Sequence, residues 1–221
     1  MTIQILHKNL KDGGLIGQSG CIEFELMGIK TLVESRGVIG EIIQDWLYKY
    51  IASKNMPFTL AASTQDFPDF YLGGDMVEVK CFDGDRGANF DIAAFRAYVR
   101  SLLISPERLD AYYLIFSYSM SNSTFEVTIE NMWLKRVWEL CGPSEELPIK
   151  VQRKQGVIVN IRPITWHSKR AKFKPFKDKK EFLIALEKTM KNHDVPSHQL
   201  VRDGWLKQVI SGYKTATGDD L

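Results

Sequence analysis

Apolar positions fall into two periods along this chain, and the switches between them mark its elements. Over residues 37–51, Val38, Ile39, Ile42, Ile43, Trp46, Leu47 and Ile51 recur every three or four positions, which predicts an amphipathic helix. Residues 76–82 alternate apolar and charged side chains, as a half-buried strand does. A helix is predicted over 89–103, with Asn89 suited to its N-cap and Asp91 to its first turn, and Pro106 beyond its end. The aromatic run 111–118 reads as a buried strand, and 124–129 alternates as its hairpin partner. A short helix over 132–140, stopped at Gly142-Pro143, a strand over 156–161 and an irregular arm over 163–175 follow. Residues 179–191 form a helix with Phe182, Leu183, Leu186 and Met190 as its apolar stripe, 205–210 a closing helix, and 214–221 a polar, frayed tail.

Toward the start, the pattern says less. Residues 21–26 are a short strand or the beginning of a helix reaching Leu32, and 58–62 a short strand or packed loop. The glycine-rich stretch 13–20 lacks the Gly-Lys-Ser/Thr ending of a phosphate-binding loop and reads as a flexible connection. Helices and strands interleaved in this way predict an α/β (α+β) fold.

Composition narrows the class. The chain has 221 residues, 44% hydrophobic and 25% charged, which suits a single soluble globular domain over 1–221. Cys21, Cys81 and Cys141 are far apart and form no C-x-x-C pair, so neither a disulfide framework nor a zinc cluster is expected, and a reducing cytoplasm fits. The first residues lack the pattern of a signal peptide, and no apolar run is long enough to span a bilayer, so no membrane partner is expected. A serine or cysteine hydrolase is disfavoured: there is no G-x-S-x-G elbow, and the cysteines have no local histidine partner.

Charge is unevenly spread. Residues 150–180 carry eleven Lys and Arg against one acid, Asp178, a balance of +10; with a whole-chain charge of +2 the remainder carries −8 (2 minus 10). An acidic body with one basic block suits a polyanion-binding protein, although a solvated basic face gives the same numbers. Within the block, Lys150, Arg153, Lys154, Lys169, Arg170 and Lys172 are interleaved with Trp166 and Phe173 and suit contacts to phosphates in a groove. His167 has no metal-spaced partner and is read as a phosphate contact or a bystander. Arg86 and Asn89 have the donor patterns that read base edges, against the simpler capping role for Asn89.

The chemistry concentrates in residues 68–80. On the strand over 76–82, Glu78 and Lys80 share a face while Val77, Val79 and Cys81 share the other. Gly73-Gly74 marks a turn that can carry Asp69 back beside that pair. Two carboxylates and an ammonium would then meet, a site for a hard cation such as Mg²⁺ with a lysine directed at water or a developing anion. A solvated strand edge with a surface ion pair is the competing reading. Asp66 is a second acid nearby; Asp69 is preferred because Pro68 fixes the backbone entering it.

Pro68-Asp69 followed by Glu78-Val79-Lys80 resembles the motif of the PD-(D/E)xK nuclease superfamily. The stretches 88–95 and 157–163 resemble type II restriction endonucleases of the NgoBV and NlaIV kind, over roughly residues 35–190 of this chain. That resemblance implies a restriction-endonuclease-like core, a mixed central β-sheet flanked by helices. It also implies a homodimer cutting double-stranded DNA at a short palindrome to leave 5′-phosphate ends, with Asp69, Glu78 and Lys80 catalytic and Asp69 and Glu78 holding Mg²⁺. Glu41 corresponds to the helical acid of many such nucleases, as a third or outer-shell ligand; its other reading is a first-turn acid complementing the helix dipole, with Asp45 a weaker candidate. The alternatives are a repair or junction-resolving nuclease of the same superfamily and a DNA-binding protein without catalysis.

Overall fold

In the computed structural model, residues 2–62 and 67–221 are described. Asp66 lies outside them. In chain order the regular elements begin with α1 (Ile3–Asp12), β1 (Ser19–Gly20), β2 (Glu23–Leu26), β3 (Ile29–Leu32), α2 (Ile39–Ser53) and β4 (Phe58–Leu60). Next come β5 (Phe70–Leu72), β6 (Asp75–Asp83), β7 (Ala93–Ala94), α3 (Phe95–Ile104), β8 (Tyr112–Met120) and β9 (Val127–Arg136). The chain closes with β10 (Val151–Lys154), β11 (Val157–Ile161), α4 (Lys179–His193), α5 (His198–Arg202) and α6 (Trp205–Thr217). These elements form two compact units, one from Met1–Gly87 and Tyr112–Lys135, the other from Ala88–Ala111 and Arg136–Leu221.

The first unit is built on a six-stranded sheet in the order β1-β9-β8-β6-β5-β4. β6 runs parallel to β8, from Val77↔Tyr112 to Asp83↔Tyr118, while β4, β5 and β6 pair antiparallel, so the sheet is mixed, as the sequence led us to expect. One face of β6 is apolar because side chains alternate: Val77 and Val79 are buried and cluster with Ile39, Ile43, Leu47 and Ile51 of α2. Gly40 brings α2 close to the strand, and a Cβ there would sit 3.5 Å from that of Cys81. The same core takes Ile3, Leu6 and Leu10 of α1, a helix missed in the sequence even though the three residues share a face. Asp75, at the start of β6, accepts a hydrogen bond from the Ile3 N–H at 3.2 Å, a carboxylate at a helix N-terminus that has no acid of its own in the first turn. The expected flexible connection after α1 is instead pinned to β9 by Gly17 N–H to Ile129 O at 2.8 Å and Ile129 N–H to Gln18 O at 3.0 Å.

Residues 21–32, left open between strand and helix, form the two-stranded hairpin β2–β3. The helix expected over 132–140 is a correction: β9 continues through Arg136 and only Val137–Glu139 make a 3-10 turn. Sheet pairing outweighs the local helical pattern, and Ile129 and Met132 go into the core from that strand.

The second unit packs α3, α4 and α6 beside a small sheet in the order β10-β11-β7. Trp205 is wholly buried and its indole N–H donates to Val99 O at 2.7 Å, locking α6 onto α3. The α3 helix starts at Phe95, so the N-cap and first-turn roles expected of Asn89 and Asp91 are not what these residues do. Ala93 and Ala94 pair with Ile161 and Asn160, which keeps these two residues in a strand and out of the helix. Asp91 instead binds Arg162 at 2.7 Å, and the same guanidinium donates to Asn89 O. All four stripe residues of α4 are buried as expected, whereas α6 runs on to Thr217, well into the stretch expected to fray. No helix among the described residues is long and apolar enough to cross a membrane.

Candidate active site

The hairpin β5–β6 makes the site. Leu72 pairs with Asp75, so Gly73 and Gly74 are its two turn residues, at φ 59° and 89°. Both need the left-handed region that tight hairpins require and glycine enters without a Cβ penalty. The last pair on the other side is Phe70↔Val77, and one step further the position facing Glu78 is that of Asp69. The turn therefore does what the sequence asked of it. Asp69 Oδ2 accepts a hydrogen bond from the N–H of Val79 at 2.6 Å, which anchors the carboxylate at the residue between Glu78 and Lys80.

Glu78 and Lys80 share a face of β6, two residues apart, and Lys80 Nζ donates to Glu78 Oε1 at 2.7 Å. Their side chains are only 12% and 21% exposed, so this is a sheltered pair rather than a solvated surface bridge. Cys81 is on the opposite face, where burial pushes its thiol up to about 12 and its Sγ–H points to Gly40 O at 3.8 Å. It is an inert core thiol, not a nucleophile.

From α2 the side chain that reaches this corner is one the sequence did not single out. Tyr48 stacks on Phe58 at 5.8 Å and meets Phe70 edge-on at 5.7 Å, while Gln44 donates to its hydroxyl at 2.5 Å. Burial pushes the Tyr48 phenol up, and the carboxylates of Asp69, Asp45 and Glu78 push in the same direction against the Gln44 hydrogen bond. The signal available beforehand was spacing: Glu41, Asp45 and Tyr48 lie along one side of the helix at intervals of four and three. Glu41 is exposed in the first turn, and among the described residues no three His, Cys, Asp or Glu side chains converge as a metal cage. Asp69 and Glu78 still offer hard oxygen donors at one corner, which fits Mg²⁺, since this ion keeps several waters and is commonly held by one or two carboxylates together with substrate phosphate.

Beyond Lys80 the strand ends at Asp83, a buried acid that binds Arg36 at 2.5 Å and lies 3.5 Å from Arg86. Arg86 remains 66% exposed and able to reach outward. In the second unit, Asn89, Arg153, Lys154, Lys169, Arg170 and Lys172 are exposed, and Lys150 is half-buried. Arg153 pairs with Glu146 at 3.2 Å and Lys172 with Glu145 at 2.5 Å. Burial lowers the His167 imidazole, which makes it a poor cation for phosphate at neutral pH.

A mixed sheet with an Asp and a Glu-x-Lys pair at one hairpin corner suits a metal-assisted nuclease, and comparison with known proteins gives the class, the type II restriction endonucleases. The chain belongs to the NgoBV restriction endonuclease family, whose model matches residues 1–221. It is 33% identical over 217 residues to the type II restriction enzyme NlaIV of Neisseria lactamica, covering 96% of this chain and 88% of that protein. It is 31% identical over 158 residues to the type II restriction enzyme NgoBV of Neisseria gonorrhoeae, covering 69% of this chain and 89% of that protein. A solved structure of the NlaIV restriction endonuclease matches all of this chain and 91% of its own, with a TM-score of 0.89 and 31% identity. The protein is accordingly an endonuclease of a restriction system, and its substrate is DNA.

Proposed function

We propose that this endonuclease hydrolyses phosphodiester bonds of double-stranded DNA at a short palindrome in a Mg²⁺-dependent reaction, leaving 5′-phosphate and 3′-hydroxyl ends. It acts in the cytoplasm as a homodimer, with the whole chain serving as one nuclease. The observation that carries this reading is the Asp69 anchor on Val79 between the two members of the Glu78–Lys80 pair. Asp69 and Glu78 would hold the metal, with Glu41 acting through water. When bound, the ion supplies positive charge against the scissile phosphate and acidifies a water.

The chain's own groups do the rest. Hydrogen bonding from Val79 fixes the Asp69 carboxylate, so one oxygen keeps its direction while the other is left for the site. Lys80 has three N–H donors and gives one to Glu78, leaving two to orient the attacking water and to meet the charge gathering on the phosphate oxygens. The water gives up a proton to solvent as its oxygen bonds to phosphorus, the P–O3′ bond breaks, and the 3′-oxygen takes a proton back from solvent to leave as a hydroxyl. Arg86 and Asn89 read base edges in this scheme, and Lys150, Arg153, Lys154, Lys169, Arg170 and Lys172 contact backbone phosphates. A two-fold dimer presents one site to each strand of a palindrome. Digestion of a sequenced plasmid with Mg²⁺, beside a chelator control, followed by end mapping, tests the reading. Discrete fragments with 5′-phosphates are expected; cutting undiminished by chelator, or ends bearing 3′-phosphates, would overturn it.

A further inference from the structure

The hairpin β2–β3 carries an unused face. Its register, Glu23↔Leu32, Phe24↔Thr31, Glu25↔Lys30 and Leu26↔Ile29, sends Phe24, Leu26, Ile29 and Thr31 to one side and Glu23, Glu25, Lys30 and Leu32 to the other. The polar side is tied within the hairpin by Lys30 to Glu23 at 2.7 Å and to Glu25 at 3.8 Å. The apolar side is bare: Phe24 is 53%, Leu26 63% and Ile29 74% exposed, and Met27 at the tip is 94% exposed. Met27 also sits at φ 51°, a left-handed conformation that Asn or Gly would take at less cost. A two-stranded hairpin in water is marginal on its own, and an amphipathic one is built to be covered.

Beside its base lies an apolar groove of about 430 Å³, walled by Leu15, Ile22, Ile39, Ile42, Trp46 and Val127. Trp46 is 40% exposed there. Ile22 leads straight from the groove into β2, so ridge and groove form one continuous surface of the same unit. Such a ridge and groove side by side make the self-complementary patch that a two-fold interface requires.

We propose that this surface is the contact between two copies of the chain, the β2–β3 ridge of each lying in the α2 groove of the other. The inference rests on the homodimer reading above and says where the copies meet. Area favours a second copy. The four bare side chains expose on the order of 500 Å², at roughly 150–250 Å² for a large one, and the groove adds to this toward the roughly 800 Å² each partner gives to a stable interface. Charge disfavours DNA as the occupant, because residues 23–32 hold two acids against one lysine.

Sedimentation of the full 25.3 kDa chain without DNA tests it. Wild type should run at twice the chain mass. Leu26→Glu with Ile29→Glu on the ridge, and separately Trp46→Glu in the groove, should each raise the dimer dissociation constant at least tenfold while leaving the far-ultraviolet circular dichroism unchanged. The milder pair Phe24→Ser and Ile29→Thr should raise it in the same direction, and it covers the case of a charged variant that misfolds. A wild type that stays single at every concentration overturns the pairing of copies itself. Variants that remain double overturn this surface and leave pairing to another. Neither readout involves DNA, so the cleavage reading is judged independently.

Discussion

The β5–β6 corner and the basic block of residues 150–180 are both rich in charge, yet they are built on different logic. At the corner, charges converge over twelve residues of chain, 69–80: a two-residue turn and a backbone hydrogen bond from Val79 place Asp69 against the Glu78–Lys80 pair. In the block, charges are spread over thirty-one positions, and the fold spends several of them internally. Arg162 holds Asp91 at 2.7 Å and Lys179 holds Asp110 at 2.5 Å, while Arg153 and Lys172 lean on Glu146 and Glu145. A converging set of charges acts as a unit, and a block divides into members that build the protein and members that face outward.

Substitutions should separate the two. Lys80→Ala or Asp69→Ala should lower the cleavage rate by about 10²–10³-fold or more, because a group aimed at developing charge is worth that much. Affinity for uncut DNA, measured by gel shift in Ca²⁺, should move less than about tenfold, or ~1.4 kcal/mol. Full cutting by both variants would remove this corner from the chemistry.

Next in size is the outward half of the block. Lys169→Ala with Arg170→Ala should reduce the slope of log affinity against log salt by about 2, on the basis of roughly 0.9 per phosphate contact. Arg153→Ala with Lys172→Ala should reduce it less, because each must first leave a carboxylate at 3.2 and 2.5 Å. Equal slopes for the two double variants would mean that those ion pairs do not compete with phosphate.

What could be read beforehand follows the same division. The corner was legible because its determinants are local: alternation fixes which face Glu78 and Lys80 share, and Gly73-Gly74 fixes the turn. α2 and α4 were legible from their apolar stripes. The start of α3 was not, because Asn89 and Asp91 look like capping residues until β11, some seventy positions later, pairs with Ala93 and Ala94 and keeps them extended. β9 outran its expected end for the same reason, a sheet neighbour overruling a local helical pattern. The partners of the basic block were equally hidden, since Asp91 and Asp110 lie far from Arg162 and Lys179 in sequence. Tyr48 is not legible in the sequence, because an aromatic on an amphipathic helix looks like core, and only the fold shows its hydroxyl near Asp69 and Glu78.

Inward-facing members of the block should cost stability instead of affinity. Lys179 lies 4.5 Å from the Tyr213 ring centroid and 5.5 Å from that of Trp138, while its ammonium and the Tyr213 hydroxyl both bond Asp110, the latter at 2.5 Å. Lys179→Met strands the Asp110 carboxylate beside a phenol and should cost about 1–2 kcal/mol. In a chain of this size that is a fall in Tm of about 3–6 °C. An unchanged Tm with a weakened salt slope would move Lys179 into the outward group.

Lys150 gives the smallest effect and the sharpest division, because it stands between the groups. It is half-buried, and burial together with the neighbouring Arg162 guanidinium pulls its ammonium below the ordinary lysine range. Between its folded and unfolded values the unfolded chain binds more protons, so stability rises with pH across that window. The penalty for burying the charge is therefore fully present at neutral pH and disappears as pH climbs through the folded and then the unfolded value. Replacing the ammonium with an apolar side chain of similar length removes the penalty at its source. Lys150→Met should then melt about 1–2 °C above wild type at pH 7, on the order of 0.5 kcal/mol after allowance for solvent screening, and the gap should close as pH rises toward 10.4, the ordinary lysine value. A variant that melts below wild type at pH 7 would show that the Lys150 ammonium is held by a favourable partner, and would return it to the structural half of the block.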